Sequence, residues 1–126
     1  DIFLRLEIYN DISNAKNDYD INHIVSKLED VYGPIPDYLK NLFSLTRVKI
    51  EGNRIKADKI RINKENTVIT LNPKSLIDND KLINHFVLKN KIKLTDQYNL
   101  KYQNISKDNF CELCEEVISM MKDISD

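Results

Sequence analysis

The chain has 126 residues, with 19 Lys or Arg against 20 Asp or Glu and a formal net charge of −1. That length suffices for one domain with its own core, without disulfide or metal staples. The charge balance argues against a dedicated nucleic-acid binder and against a polybasic membrane anchor, and no apolar run approaches the roughly 18 residues of a membrane-crossing helix.

Three helices are expected first. Residues 2 to 16 carry Ile2, Leu6, Tyr9 and Ile12 as an apolar stripe, widened by Leu4 and Ile8. Residues 21 to 32 place Ile21, Ile24, Val25, Leu28, Val31 and Tyr32 at the three-and-four spacing of one buried face, with Asp20 as the capping acceptor. Gly33 is expected to stop this helix in a left-handed conformation, and Pro34 cannot continue it. A third helix restarts near Pro36, whose missing N–H costs nothing in a first turn, with Asp37 against the positive end of the helix dipole. Leu39, Leu42, Phe43, Thr46 and Ile50 form its stripe, and it ends between Glu51 and Ala57, with Gly52 a weak point.

The period then changes. Ile60 and Ile62 alternate with charged residues, Asn63 to Asn66 supplies a turn, and Thr67 to Leu71 is β-prone, which reads as a hairpin. Asn72-Pro73 is expected to open a helix through Leu76, Ile77, Leu82, Ile83 and Phe86, with a break at Asp78-Asn79-Asp80. A second hairpin pairs Ile92 and Leu94 with Tyr98, Leu100 and Tyr102 across a turn at Thr95-Asp96-Gln97. Ser106 is expected to cap a last helix whose stripe is Phe110, Leu113, Cys114, Val117, Ile118 and Met121. The order ααα-ββ-α-ββ-α implies an α+β fold: a small antiparallel sheet from two hairpins, packed with about five helices.

Chemistry-bearing patterns are sparse. Cys111 and Cys114 stand as C-x-x-C, but a structural zinc site needs four ligands, and His23 and His85 have ligand spacing to nothing. The pair lies inside a helix rather than opening one after a strand, so packing is the preferred reading over redox chemistry. Without a secretion signal, two cysteines suit a reducing, cytoplasmic setting. From Arg47 to Lys64 seven basic residues, Arg47, Lys49, Arg54, Lys56, Lys59, Arg61 and Lys64, face only Glu51 and Asp58. The stretch lacks interleaved aromatics, so a solvated face is preferred over nucleic-acid contact. The acids Asp108, Glu112, Glu115, Glu116 and Asp123 are expected mainly on the solvent side of the last helix. With two glycines there is no phosphate-cradling loop, and no catalytic triad is suggested. A binding or regulatory module is expected rather than an enzyme, with no catalytic, cofactor or metal residues.

Several segments resemble the C-terminal domain of bacterial transcription-repair coupling factors. Arg5-Leu6-Glu7-Ile8-Tyr9 is similar to that domain's R-L-x-x-Y helix. Residues Lys27 to Pro36, KLEDVYGPIP, are similar to its E-L-x-D-R-F-G-x-x-P corner. Asn41 to Lys49 is similar to an N-L-L-x-L-x-R-x-K helix, and Ala57 to Ile62 suits its hairpin opening. The resemblance covers roughly the first 70 residues in order and spacing.

It implies that residues 1–126 are a single C-terminal regulatory domain cut from a larger ATP-dependent DNA translocase, which also suits an opening Asp1 in place of Met. Such parents displace stalled RNA polymerase and recruit UvrA in nucleotide-excision repair; ATP and Mg belong to their motor domains, and no cofactor is implied for this domain. The domain would clamp the parent's own UvrA-binding module and mask it until polymerase is engaged, in the bacterial cytoplasm, as a monomer and without membrane contact. The family's clamp contact falls by position at Lys27, Asp30 and Val31. Lys27 stands where the family has an acid and Val31 where it has an arginine, while Asp30 keeps its charge. Gly33, Pro34 and Pro36 are the structural corner. The alternative expectation is an accessory domain contacting nucleic acid or polymerase through residues 47–64.

Overall fold

The computed structural model describes residues 2–96 and 98–126. Helices α1 (Ile2–Asn14), α2 (Asp18–Tyr32) and α3 (Asp37–Arg54) come first. Strands β1 (Lys59–Ile62) and β2 (Asn66–Thr70) follow, then α4 (Asn79–Leu82), which runs into a π-helical segment, Ile83–Val87. Strands β3 (Ile92–Leu94) and β4 (Asn99–Gln103) and helix α5 (Phe110–Ile124) complete the chain. This is the expected α+β order.

The two hairpins join into one four-stranded antiparallel sheet, β1-β2-β4-β3, because β2 pairs with β4. Thr95 N–H donates to the Asn99 carbonyl (3.2 Å) beside the second turn, whose Gln97 lies outside the described residues. Side-chain alternation puts Ile60, Ile69 and Leu100 in one inward row and Thr67, Tyr102 and Ile92 in the next. These rows pack against α4 with its π segment, α5 and the C-terminal half of α3. A second core, of Ile12, Ile21, Leu28, Ile35, Leu39 and Phe43, lies among α1, α2 and the first half of α3. The 18-residue α3 is therefore a spine shared by both cores. Helix α5 lies along it in parallel: Cys111 Sγ meets Asn41 Oδ1 at 3.4 Å at one end, and Leu76 links Ile55 to Asp126 at the other.

Several local expectations change. Asn17, not Asp20, caps α2: its side chain accepts from Asp20 N–H (2.8 Å), while the Asp20 carboxylate reaches back to Lys16 N–H (2.9 Å). Gly33 has a positive φ of 81°, but its ψ of −151° lies outside the left-handed helical basin, in a region that glycine alone enters readily. Its N–H closes on the Glu29 carbonyl at 2.9 Å, and Pro36 is the cap residue ahead of α3 rather than its first residue. Helix α3 ends at Arg54, within the expected range, and Gly52 sits inside it, where a Cβ would come within 2.5 Å of Ile60 Cδ1. Its bareness lets β1 approach.

No helix opens at Asn72-Pro73. Asn72 Oδ1 takes Lys74 N–H (2.7 Å) and Asn72 Nδ2 binds the Lys56 carbonyl (3.0 Å), so the segment is a side-chain-held turn. Asp78-Asn79-Asp80, expected as a break, is the start of α4, with the Asp78 carboxylate accepting from Asp80 and Lys81 N–H. Ser106 does not cap α5; Asn109 does, accepting from Glu112 N–H at 3.0 Å. Met120 and Ile124 join the buried stripe of α5, while Phe110 is exposed.

The stripe expected on α1 is only partly inward. Ile2, Leu6 and Tyr9 are 66%, 57% and 40% exposed; Leu4 and Ile8, half-buried, and Ile12, buried, form the row that meets α2. Leu4, Ile8 and Ile12 are spaced i, i+4, i+8 and so line one side of the helix, whereas Ile2, Leu6 and Tyr9 turn to another. Val31 and Tyr32, expected inside, are 64% and 58% exposed on the last turn of α2. No helix among the described residues is long and apolar enough to cross a membrane.

Candidate docking surface

The antiparallel pairing of α1 and α2 leaves a groove of about 450 Å³ between them, floored by Ile8 and Leu28. Lys27 and Val31, one turn apart on α2, line it, with Glu7 and Asp11 opposite on α1. Asp30 is exposed on the same turn of α2 but is not among the residues lining the groove. A second groove, of about 210 Å³, runs from Tyr9 and Tyr32 to the corner at Gly33, Pro34 and Pro36 and on to Tyr38. Leu4, Ile8, Leu28 and Tyr32 are shared by both grooves, which makes them one continuous surface. The corner sets this shape: a positive-φ glycine between two helices swings α3 away and leaves Tyr32 on the rim.

The other candidates are placed as follows. Cys114 is fully buried in the sheet-side core, and its thiol is pushed up to about 11 by burial and by the neighbouring Cys111. Among the described residues no group of three or more His, Cys, Asp and Glu could hold a metal ion. His23 stacks on Tyr19 one turn earlier, with ring centroids 6.3 Å apart. His85 is exposed on the π segment.

The seven basic residues of 47–64 do not share one surface. Arg47 reaches α2, donating to Asn22 Oδ1 at 2.8 Å, and Lys49 lines a groove against the end of α1. Arg54 pairs with the buried Glu51, Nε to Oε1 at 3.0 Å. Only Lys59 and Arg61 belong to the sheet.

Two polar residues, one read as solvated and one that sequence reasoning did not single out, are structurally central. Glu116 was expected on the solvent side of α5, yet its half-buried carboxylate accepts from Tyr102 O–H, Ile105 N–H (2.8 Å) and Ser106 N–H (2.7 Å). It thus ties β4 and the following loop to α5. Burial pushes this carboxyl up, but the hydrogen bonds from Tyr102, Ile105 and Ser106 together outweigh burial and hold it below its ordinary value. Asn104, buried beside Thr67, accepts from Thr67 Oγ1 (2.9 Å) and donates to the Asn63 carbonyl (2.7 Å), pinning the first hairpin turn to the end of β4. An isolated polar residue in a polar turn carries no sequence signal for such a role.

Residues 1–82 match the TRCF domain, about two thirds of the chain. The chain belongs to the TRCF domain family. The match runs from α1 through α4, so it contains both grooves and the corner. The transcription-repair-coupling factor of Buchnera aphidicola subsp. Acyrthosiphon pisum (strain APS) is 26% identical over 125 residues, 98% of this chain but 15% of that protein. The chain therefore spans a small part of the length of this curated relative. The crystal structure of the C-terminal domain of a transcription-repair coupling factor superposes with a TM-score of 0.71 at 17% identity, covering 93% of this chain and 80% of that one. The likeness extends the TRCF fold beyond residue 82, across the second hairpin and α5.

Proposed function

We propose that this TRCF domain is a non-catalytic clamp within an ATP-dependent DNA translocase of transcription-coupled repair. It docks on the parent's UvrA-binding module and masks that surface until RNA polymerase is engaged. The observation that carries the reading is the continuous apolar surface of α1, α2 and the corner, with Val31, Tyr32 and Tyr38 exposed on it. Apolar surface rimmed by charge is the usual mark of a protein contact, and tyrosines are favoured anchors there.

Lys27 and Val31 are exposed on this surface and Asp30 is exposed on the same turn of α2, outside the groove. Compared with the family pattern, the edge exchanges an arginine for Val31, so the contact is centred on Val31 and Tyr32 with Lys27 and Asp30 at its rim. A tethered contact can be weak and still mostly closed, because the tether supplies an effective concentration of order millimolar. Release then needs a ligand that favours the open state by only a few kcal/mol.

An NMR titration of the 126-residue chain with the parent's UvrA-binding module tests the reading. Shifts are expected along Leu4–Tyr9 and Lys27–Tyr38, and Val31→Asp should weaken binding at least tenfold with folding intact. Shifts confined to other faces would overturn it.

A further inference from the structure

The outward face of the sheet collects a charge pattern that no contiguous stretch of sequence contains. Strand register sets Arg61 of β1 opposite Val68 of β2, Val68 opposite Lys101 of β4, and Lys101 opposite Lys93 of β3. One cross-strand row thus reads Arg-Val-Lys-Lys. Lys59 lies two residues along β1 on the same face, and Lys91 lies opposite Gln103, bonded through its carbonyl to Gln103 N–H at 3.1 Å. All five cations are exposed.

The other outward strand positions are Asn66, Thr70, Asn99 and Gln103, so no carboxylate stands within the strands on this face. Two carboxylates stand at its rim: Glu65, engaged by Lys107 at 2.7 Å, and Asp96, which accepts from Asn99 Nδ2 at 3.1 Å. A shallow groove of about 220 Å³ runs between Asn66, Lys91, Lys93, Lys101 and Gln103, with Glu65 at its edge. In a chain of net charge −1, five cations on one sheet face, none in an ion pair among the described residues, amount to a segregated charge.

We propose that this sheet face is a docking surface for the phosphodiester backbone of duplex DNA. Neighbouring strands lie ~4.8 Å apart and alternate residues of a strand ~6.8 Å apart, and Lys59 and Lys91 flank the row on opposite sides, so the five cations cover a patch of roughly 15 Å by 14 Å. Long flexible lysines and side-chain amides suit phosphate oxygens and carry no base specificity. The face has no outward aromatic, because Tyr102 points into the core against Phe86, so unstacked bases find no platform. Duplex offers about one charge per 1.7 Å of axis, twice the density of a single strand, and is the better match. Contacts made to phosphate alone leave binding independent of sequence.

The test is fluorescence anisotropy of the 126-residue chain with a labelled 20-base-pair duplex between 20 and 200 mM salt (about a tenfold range chosen for its effect on counterion release). Binding at low salt is expected, with a log–log salt slope near −4.5 for about five phosphate contacts. The triple variant Arg61→Gln, Lys93→Gln, Lys101→Gln should lose at least tenfold in affinity and flatten the slope to about −2. The variant Lys93→Arg, Lys101→Arg keeps the charge and should bind like wild type, and Arg47→Gln with Lys49→Gln, on other surfaces, should change nothing. No binding at 20 mM salt, an unchanged triple variant of normal thermal stability, tighter binding to a single strand of the same sequence, or binding to polyglutamate instead of DNA would each overturn the proposal.

Discussion

Replacing Glu116 tests how the two ends of the sheet-side core are tied. Glu116→Ala removes the acceptor for Tyr102 O–H, Ile105 N–H and Ser106 N–H at once. Ile105 is exposed, so its amide regains water, whereas Tyr102 is buried and Ser106 half-buried. Two donors lose a charged partner at about 1.5 kcal/mol each, which sums to a loss of about 3 kcal/mol, or roughly 10 °C in Tm for a chain of this size. Glu116→Gln keeps the shape and one acceptor oxygen but turns an NH2 toward an N–H, and should lose about 1–2 kcal/mol. Because the folded-state carboxyl is held below its ordinary value, its contribution is present above the unfolded pKa of about 4.5 and is lost as pH falls through the lower folded value. Urea unfolding followed by circular dichroism should therefore show the gap between wild type and Glu116→Gln narrowing below about pH 4.5. A Gln variant as stable as wild type at pH 7, with the same acid profile, would refute the clasp.

Three further outcomes are expected. Gly33→Ala should cost about 1–3 kcal/mol from backbone strain alone, since an added Cβ meets nothing within 4 Å; Gly33→Asn should not rescue it, because asparagine eases the left-handed helical basin and not this one. Urea midpoints of the two variants measure this. At pH 8 a thiol reagent should label one cysteine of the native chain, Cys111, and both in urea, since Cys114 is buried and its thiol is pushed up to about 11. Asn104→Ala should lose about 2–3 kcal/mol by orphaning Thr67 and the carbonyls of the first hairpin turn, read as a lower Tm with faster amide exchange at Asn63 to Asn66.

Element order was legible because apolar period alone separates α3 from the hairpins and α5. The helix ends were less so, since several polar residues competed for each cap. Ser106 could not cap α5 because the helix starts at Phe110 and Asn109 stands in the cap position, and Asp20 was drawn back to Lys16 while Asn17 took the cap of α2. The turn at Asn72 replaced a helix through side-chain bonds to Lys56, sixteen residues away, which no local pattern records. On α1, apolar residues occupy two rows, and the period cannot say which row meets α2. Of the residues read as core, Ile2, Leu6 and Tyr9 are exposed, and Tyr9 lines the candidate surface with Tyr32. The corner was readable from glycine and proline, whereas the cationic sheet face depends on a register that joins residues up to 42 apart by number and so had no sequence signature.

The most direct measurement of the clamp is UvrA binding by the intact parent protein, compared with the same protein lacking this domain and with its Val31→Asp, Tyr32→Asp variant. Masking predicts weak binding by the intact protein and a rise of at least tenfold in both altered forms. Equal UvrA affinity in all three would contradict it.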